Sequence, residues 1–194
     1  MKSAREIALE KIKDIGEPTE DEKLRWQYLP LGEKLAGKYL EENIILSTEL
    51  AKYKGRAKKY VLKGLEETLV DNIYILKNDA AKRRNKKAME GIKEIKKDKV
   101  AAENVFSKMR SLFKHDLEEG EKQREQVFNN IKEKCEQQLR QAAQQKYGQA
   151  AGQMEMKAEQ HPKFQEEVRR VMAQIDSGYL NHLDNFKKEL AIIN

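Results

Sequence analysis

Residues 102–150 read AENVFSKMRSLFKHDLEEGEKQREQVFNNIKEKCEQQLRQAAQQKYGQA, a proline-free stretch in which one set of positions recurs in steps of 3, 4 and 4. The set is Ala102, Phe106, Met109, Phe113, Leu117, Gly120, Arg124, Phe128, Ile131, Cys135, Leu139, Ala142, Lys146 and Ala150. Steps of 3, 4 and 4 make an 11-residue repeat of about 3.67 residues per turn, close to an unstrained α-helix, and favour straight or slightly right-handed packing. The spacing therefore predicts a long helix with an inward seam rather than strands.

The same frame extends upstream. Leu62, Leu65, Leu69, Ile73, Leu76 and Ala80 occupy it well, whereas Arg84, Lys87, Gly91, Ile95 and Asp98 fill it mostly with polar residues. A single helix over residues 62–150 would be about 130 Å long at 1.5 Å per residue. A polar frame at the middle of a helix wastes burial, whereas the tip of a hairpin is normally polar. The reading adopted is an elongated antiparallel hairpin over residues 43–160 that turns near 78–100, with Asn78-Asp79 and Lys97-Asp98 as candidate turn sites.

Composition points the same way. Charged residues make up 37% of the 194 and hydrophobic ones 39%; an ordinary globular chain carries about 25% charged. A helical bundle needs only an apolar stripe along each helix, so it suits such a chain. The only prolines are Pro18, Pro30 and Pro162, too few for the tight turns of a β-rich fold. The expected fold is all-α, one unit overall: short helices over 1–42, the hairpin over 43–160, and a C-terminal packing helix over 163–193.

Within 1–42, Ala4, Ile7, Ala8, Ile12 and Ile15 share one helical face. Thr19-Glu20-Asp21-Glu22 has the spacing of a capping box that opens a second, short helix. Leu29-Pro30-Leu31-Gly32 is expected to break it. Pro162 suits the first turn of the last helix, whose apolar stripe is Phe164, Val168, Val171, Ile175, Tyr179, Phe186, Leu190 and Ile193.

Catalytic signatures fail on inspection. Gly32-Glu33-Lys34-Leu35-Ala36-Gly37-Lys38-Tyr39 has most of a phosphate-binding loop, but Tyr39 stands where Ser or Thr must reach Mg²⁺, and no strand precedes it. His115, His161 and His182 fall in no Glu-x-x-His or His-Glu-x-x-His pattern, and His115 with Glu119 at i+4 offers at most a weak metal pair, against which a solvated or interfacial histidine is the reading adopted. Cys135 falls on the seam and reads as a small apolar residue; alone, it forms no intrachain disulfide. The chain is expected not to be an enzyme and to need no cofactor or metal.

Two features suggest interaction instead. Residues 82–99 read KRRNKKAMEGIKEIKKDK. Nine are basic (Lys82, Arg83, Arg84, Lys86, Lys87, Lys93, Lys96, Lys97 and Lys99) and three acidic, so the block carries the net charge of +6 of the whole chain. Such localisation suits contact with phosphates, and without aromatic residues it would read backbone rather than bases. Second, in Gln137–Gln153, QQLRQAAQQKYGQAAGQ, the residues Gln141, Gln145, Gly148 and Gly152 offer a small, polar helix surface that another helix could approach.

The 11-residue repeat resembles that of rotary-ATPase peripheral stalks in its periodicity, and that resemblance implies a structural strut. The reading of the residues themselves is a helical interaction or scaffold protein, self-associating as a dimer or binding another helical protein. The alternative is a sequence-independent nucleic-acid or ribonucleoprotein binder. With no apolar stretch long enough to span a membrane and no signal-like start, the expected location is cytoplasmic.

Overall fold

In the computed structural model, residues 18–76, 78–148 and 157–194 are described. The fold is an all-α helical bundle, with no strand among the described residues. The helices are α1 (Glu20–Glu41), α2 (Leu46–Leu50), α3 (Gly55–Asp71), α4 (Asp79–Ile95), α5 (Lys99–His115), α6 (Glu121–Tyr147) and α7 (Pro162–Ile192). A five-residue π-turn, Asp116–Gly120, joins α5 to α6, and a 3₁₀ turn, Ala158–Gln160, precedes α7. The amphipathic pattern read at residues 2–15 lies outside the described residues.

Thr19 caps α1 as its spacing predicts. Its hydroxyl accepts the Glu22 amide at 3.3 Å, and the Glu22 carboxylate accepts the Thr19 amide at 2.8 Å. The expected break at Pro30 does not occur, and α1 runs through it for 22 residues. Proline removes the hydrogen bond to the carbonyl four residues back, which belongs to Trp26. Both residues are exposed, so water can serve that carbonyl, and the helix continues because its next turns are packed.

That packing is a close crossing of α1 on α3. A methyl group built on Gly32 would collide with the Val61 carbonyl oxygen and stand 2.7 Å from the Leu65 amide nitrogen. One built on Gly64 would collide with the Leu29 carbonyl oxygen in the same way. Each helix therefore offers a glycine to the other's backbone. Tyr60 on α3 also donates to Asp21 on α1 at 2.5 Å.

Residue contacts cluster in two compact units. The first holds α1 to α3 and Arg84–Ile95 of α4. Ala36, Leu46, Val61, Leu65, Leu69, Ile73, Ala88 and Ile92 are fully shielded there. Each large aliphatic side chain among them contributes about 1.5–3 kcal/mol on burial.

The second unit holds Tyr74–Arg83 and Lys96–Asn194. Its frame is α5, the π-turn and α6 in one unbroken run, with α7 returning antiparallel. The ion pairs trace that direction: Lys108–Glu189 at 2.6 Å, Arg124–Asp176 at 2.9 Å and Lys132–Glu159 at 2.6 Å. α6 and α7 thus run antiparallel, and the 78–100 region, where the hairpin turn was expected, holds α4 and the start of α5. Asn78 and Asp98 act there as helix-opening caps, accepting the amides of Ala81 and Ala101 at 2.9 Å each. Asn72 accompanies the end of α3, donating to the Thr68 carbonyl at 2.7 Å.

Along the long run, Ala102, Phe106, Met109 and Phe113 are buried. At the π-turn the buried position leaves the 11-residue frame by one residue. Asp116 turns inward, 4% exposed, and Leu117, the next position of the 11-residue frame, is 43% exposed. Beyond it, Phe128, Ile131, Cys135 and Leu139 are only half-buried, and Ala143 is the sole fully buried residue of α6.

Candidate functional site

The basic block is not exposed throughout. Lys96 is buried and donates to the Ile193 carbonyl, placing its charge at the C-terminal end of α7, where the helix dipole favours a cation. Lys87 donates to the Glu42 carbonyl at 2.9 Å and lies 5.6 Å from the centre of the Tyr39 ring. Arg84 donates to Asn72 at 2.8 Å. Lys86 faces Glu90 at 3.9 Å, and Lys93 is half-buried. Lys82, Arg83, Lys97 and Lys99 are exposed, as are Arg84 and Lys86. The sequence could not reveal this partition, because a lysine that caps a helix and one that meets solvent look alike in a charge run.

The Gln-rich surface is also reshaped. Gln141 and Gln145 are exposed on α6, but Gly148 is the residue that ends the helix. Its φ of +59° is open to glycine and strained for other residues, so it cannot serve as a small position on a continuing helix face. Gly152 lies outside the described residues. Gly32–Lys38 is interior to α1, with Gly32, Leu35 and Ala36 buried, so no phosphate-binding loop forms. His161 caps α7, accepting the Lys163 amide at 3.3 Å. Among the described residues, no group of three or more His, Cys, Asp or Glu side chains is placed to hold a metal.

A polar cluster at the π-turn was not anticipated. Arg124 donates to Asp116 at 2.6 Å and to Asp176 on α7 at 2.9 Å. Its guanidinium lies 5.6 Å from the centre of the Tyr179 ring, and the Tyr179 hydroxyl shares a 3.0 Å hydrogen bond with His115 Nδ1. Gly120 stands between these groups; a methyl there would come within 2.8 Å of the Asp116 carboxylate and 2.9 Å of the Tyr179 hydroxyl. Burial works against the charge on Arg124, but the hydrogen bonds it donates to Asp116 and Asp176 more than offset it, so its affinity for its proton rises. Burial pushes the Tyr179 phenol up, and the Asp116 carboxylate adds to this against the opposing pull of Arg124. The signal in the sequence is Asp116, Gly120 and Arg124 at steps of four, an acid and a base flanking a residue small enough to let them meet. Because Arg124 is occupied by two carboxylates, the cluster suits locking α7 against the π-turn better than binding an anion.

Beside the cluster, sharing His115 and Tyr179 with it, runs an open groove of about 1250 Å³ between α5 and α7. Val105, Leu112, Ile175, Phe186 and Ile193 supply apolar surface; Asn104, Ser107, Ser111, Gln123, Gln174 and His182 supply polar groups. The lining positions on α7 repeat every seven residues, as Ile175, His182, Glu189 and as Tyr179, Phe186, Ile193. On α5, Ala101, Lys108 and His115 do the same. A seven-residue repeat is the spacing at which helices pack side by side in bundles. An open trough cannot enclose a small molecule to the 70–90% that such ligands require; a helix laying down one apolar face fits it.

No helix among the described residues is long and apolar enough to cross a membrane. No curated protein and no solved structure matches the chain. Residues 47–191, however, match the profile of a family of unknown function, DUF6657. With that match running from α2 into the last turn of α7, the chain belongs to that family.

Proposed function

We propose that this chain is a non-enzymatic helical interaction protein that self-associates, acting in the cytoplasm, where a chain with one cysteine needs no disulfide. One observation carries the reading: the α5–α7 groove, an open apolar trough with a seven-residue repeat on the second unit. Half-buried Phe128, Ile131, Cys135 and Leu139 on α6 add to it, since a helix so thinly covered gains from a further helical neighbour. The lysine and the glutamate of the groove, Lys108 and Glu189, are taken up by each other at 2.6 Å, which supports the non-enzymatic reading. Sedimentation velocity of the full chain over rising concentration tests the reading. A reversible shift from monomer to a larger species is expected, and a monomer at every concentration would refute it.

A second reading, sequence-independent nucleic-acid binding, is favoured by the exposed Lys82, Arg83, Lys97 and Lys99. Labelled single- and double-stranded RNA and DNA would bind with an affinity that falls steeply with salt. Changing Lys82 and Arg83 to Glu would weaken that binding. An anisotropy that stays flat at low salt removes this reading.

A further inference from the structure

Within helices or the π-turn, Gly32, Gly64, Gly91 and Gly120 all have a neighbour against which a methyl group would press. Glycine inside a helix costs about 1 kcal/mol relative to alanine, and close packing is what offsets that cost. Gly178 breaks the pattern. It lies in the middle of the 31-residue α7, lines the α5–α7 groove, and has nothing within 4 Å of the place a methyl would take. Gly37 and Gly55, the other helical glycines with open space, lie near the end of α1 and at the first position of α3, outside the groove. Gly178 thus has the character of a contact glycine whose contact lies outside the single chain.

We propose that the α5–α7 groove is the face through which two copies of this chain pair about a two-fold axis, with a helix of the partner approaching closest at Gly178. This inference rests on the self-association reading and assigns its face and symmetry. Charge supports a second copy as the occupant. The chain carries +6 overall, yet the groove holds one lysine and one glutamate, Lys108 and Glu189, which cancel. A face of one sign would repel itself, whereas a neutral face with polar amides at one end and an ion pair at the other can meet its own image. Size is compatible as well. The lining on α7 spans residues 174–193, about 30 Å at 1.5 Å per residue, and two helices are about 20 Å wide. That gives about 600 Å² per copy, about 1,200 Å² in total, at the lower edge of specific interfaces. Such a face makes a reversible dimer. Because a two-fold contact uses the same patch on both copies, it closes at two and leaves no sticky end.

The test is sedimentation equilibrium of the full chain from about 1 to about 100 μM, beside Gly178→Gln and, as a matched control outside the groove, Gly37→Gln. Gly178→Gln fills open space and improves helix propensity, so its far-UV circular dichroism should match the parent; should it lose helix, Ser111→Gln on the opposite wall replaces it. The expected result is a monomer–dimer equilibrium for the parent and for Gly37→Gln, and a dissociation constant raised at least about ten-fold for the groove variant. If the parent dimerises and the groove variant dimerises equally well, the groove assignment is overturned and self-association stands. Open-ended growth beyond the dimer overturns the two-fold symmetry. A parent that stays monomeric removes both this inference and the reading beneath it.

Discussion

The α1–α3 crossing and the α5–α7 pair solve helix packing in opposite ways. In the first, Gly32 and Gly64 let two backbones meet, and the contact is complete within one chain. In the second, the Lys108–Glu189 ion pair and the His115–Tyr179 hydrogen bond join the two helices, the Arg124 cluster holds α7 to α6 and the π-turn, and a face with its own glycine is left open. The difference shows that a helical glycine has no fixed meaning. What matters is whether something stands where its side chain would be, and that is a property of the neighbour.

The largest expected effect is Gly64→Ala. Overpacking costs about 1–3 kcal/mol, and here the obstacle is the Leu29 carbonyl, which cannot rotate away as a side chain can. That puts the cost above the usual range, at about 4 kcal/mol, and leaves a net loss of about 3 kcal/mol after the gain of about 1 kcal/mol that alanine brings to a helix. The single tryptophan, Trp26, lies on α1 and reports it by fluorescence in a urea titration. An unchanged midpoint would mean that the crossing is looser than described.

Next is Asp116→Ala. Breaking a buried ion pair costs about 3–5 kcal/mol. Arg124 is one-quarter exposed and keeps Asp176, so about 2 kcal/mol is expected, read by circular dichroism. An effect near zero would reduce the cluster to surface chemistry.

Gly178→Ala, measured at dilution, should have the opposite sign to Gly64→Ala, stabilising by about 1 kcal/mol because nothing opposes the methyl. A destabilisation would show that the groove is already filled within the chain.

The smallest effect is in acid. Its hydrogen bonds to the Thr19 backbone and side chain hold the Glu22 carboxyl below the usual carboxylate range. A lowered value in the fold means that this stabilisation is present at neutral pH. It is lost as the pH falls below the ordinary carboxylate value and through the lowered one. Glu22→Gln should flatten that part of the acid limb, and a limb of unchanged slope would detach the capping box from stability.

Much of the fold was legible, for physical reasons that differ by element. The capping box at Thr19 and the proline start of α7 are local chemistry, so spacing alone placed them. The helical character of 102–147 was carried by periodicity. What failed were judgements that depend on neighbours. Pro30 was read as a breaker because proline usually is, yet the next turn is held by Val61 and Leu65, 29 and more residues away. Lys96 counted as patch charge but caps a helix almost one hundred residues on. The candidate site fared worse. The groove and the Arg124 cluster need α7 laid beside α5 and the π-turn, and no local pattern announces which residues of two distant helices will face each other.

The π-turn has a consequence for how this chain could differ from its relatives in length. Its Glu121 amide bonds back to the Asp116 carbonyl, five residues away rather than four, so the turn holds one more residue than a regular one. Geometrically it is an insertion that the helix absorbed without turning the face that follows. Deleting one residue between Asp116 and Gly120 would close it to ordinary helix and leave Phe128 and Ile131 facing as they do. Such a deletion would erase the Asp116–Gly120–Arg124 spacing and the lock with it. Members of the family should therefore divide into those that carry the extra residue together with the acid, the glycine and the arginine, and those that lack all four.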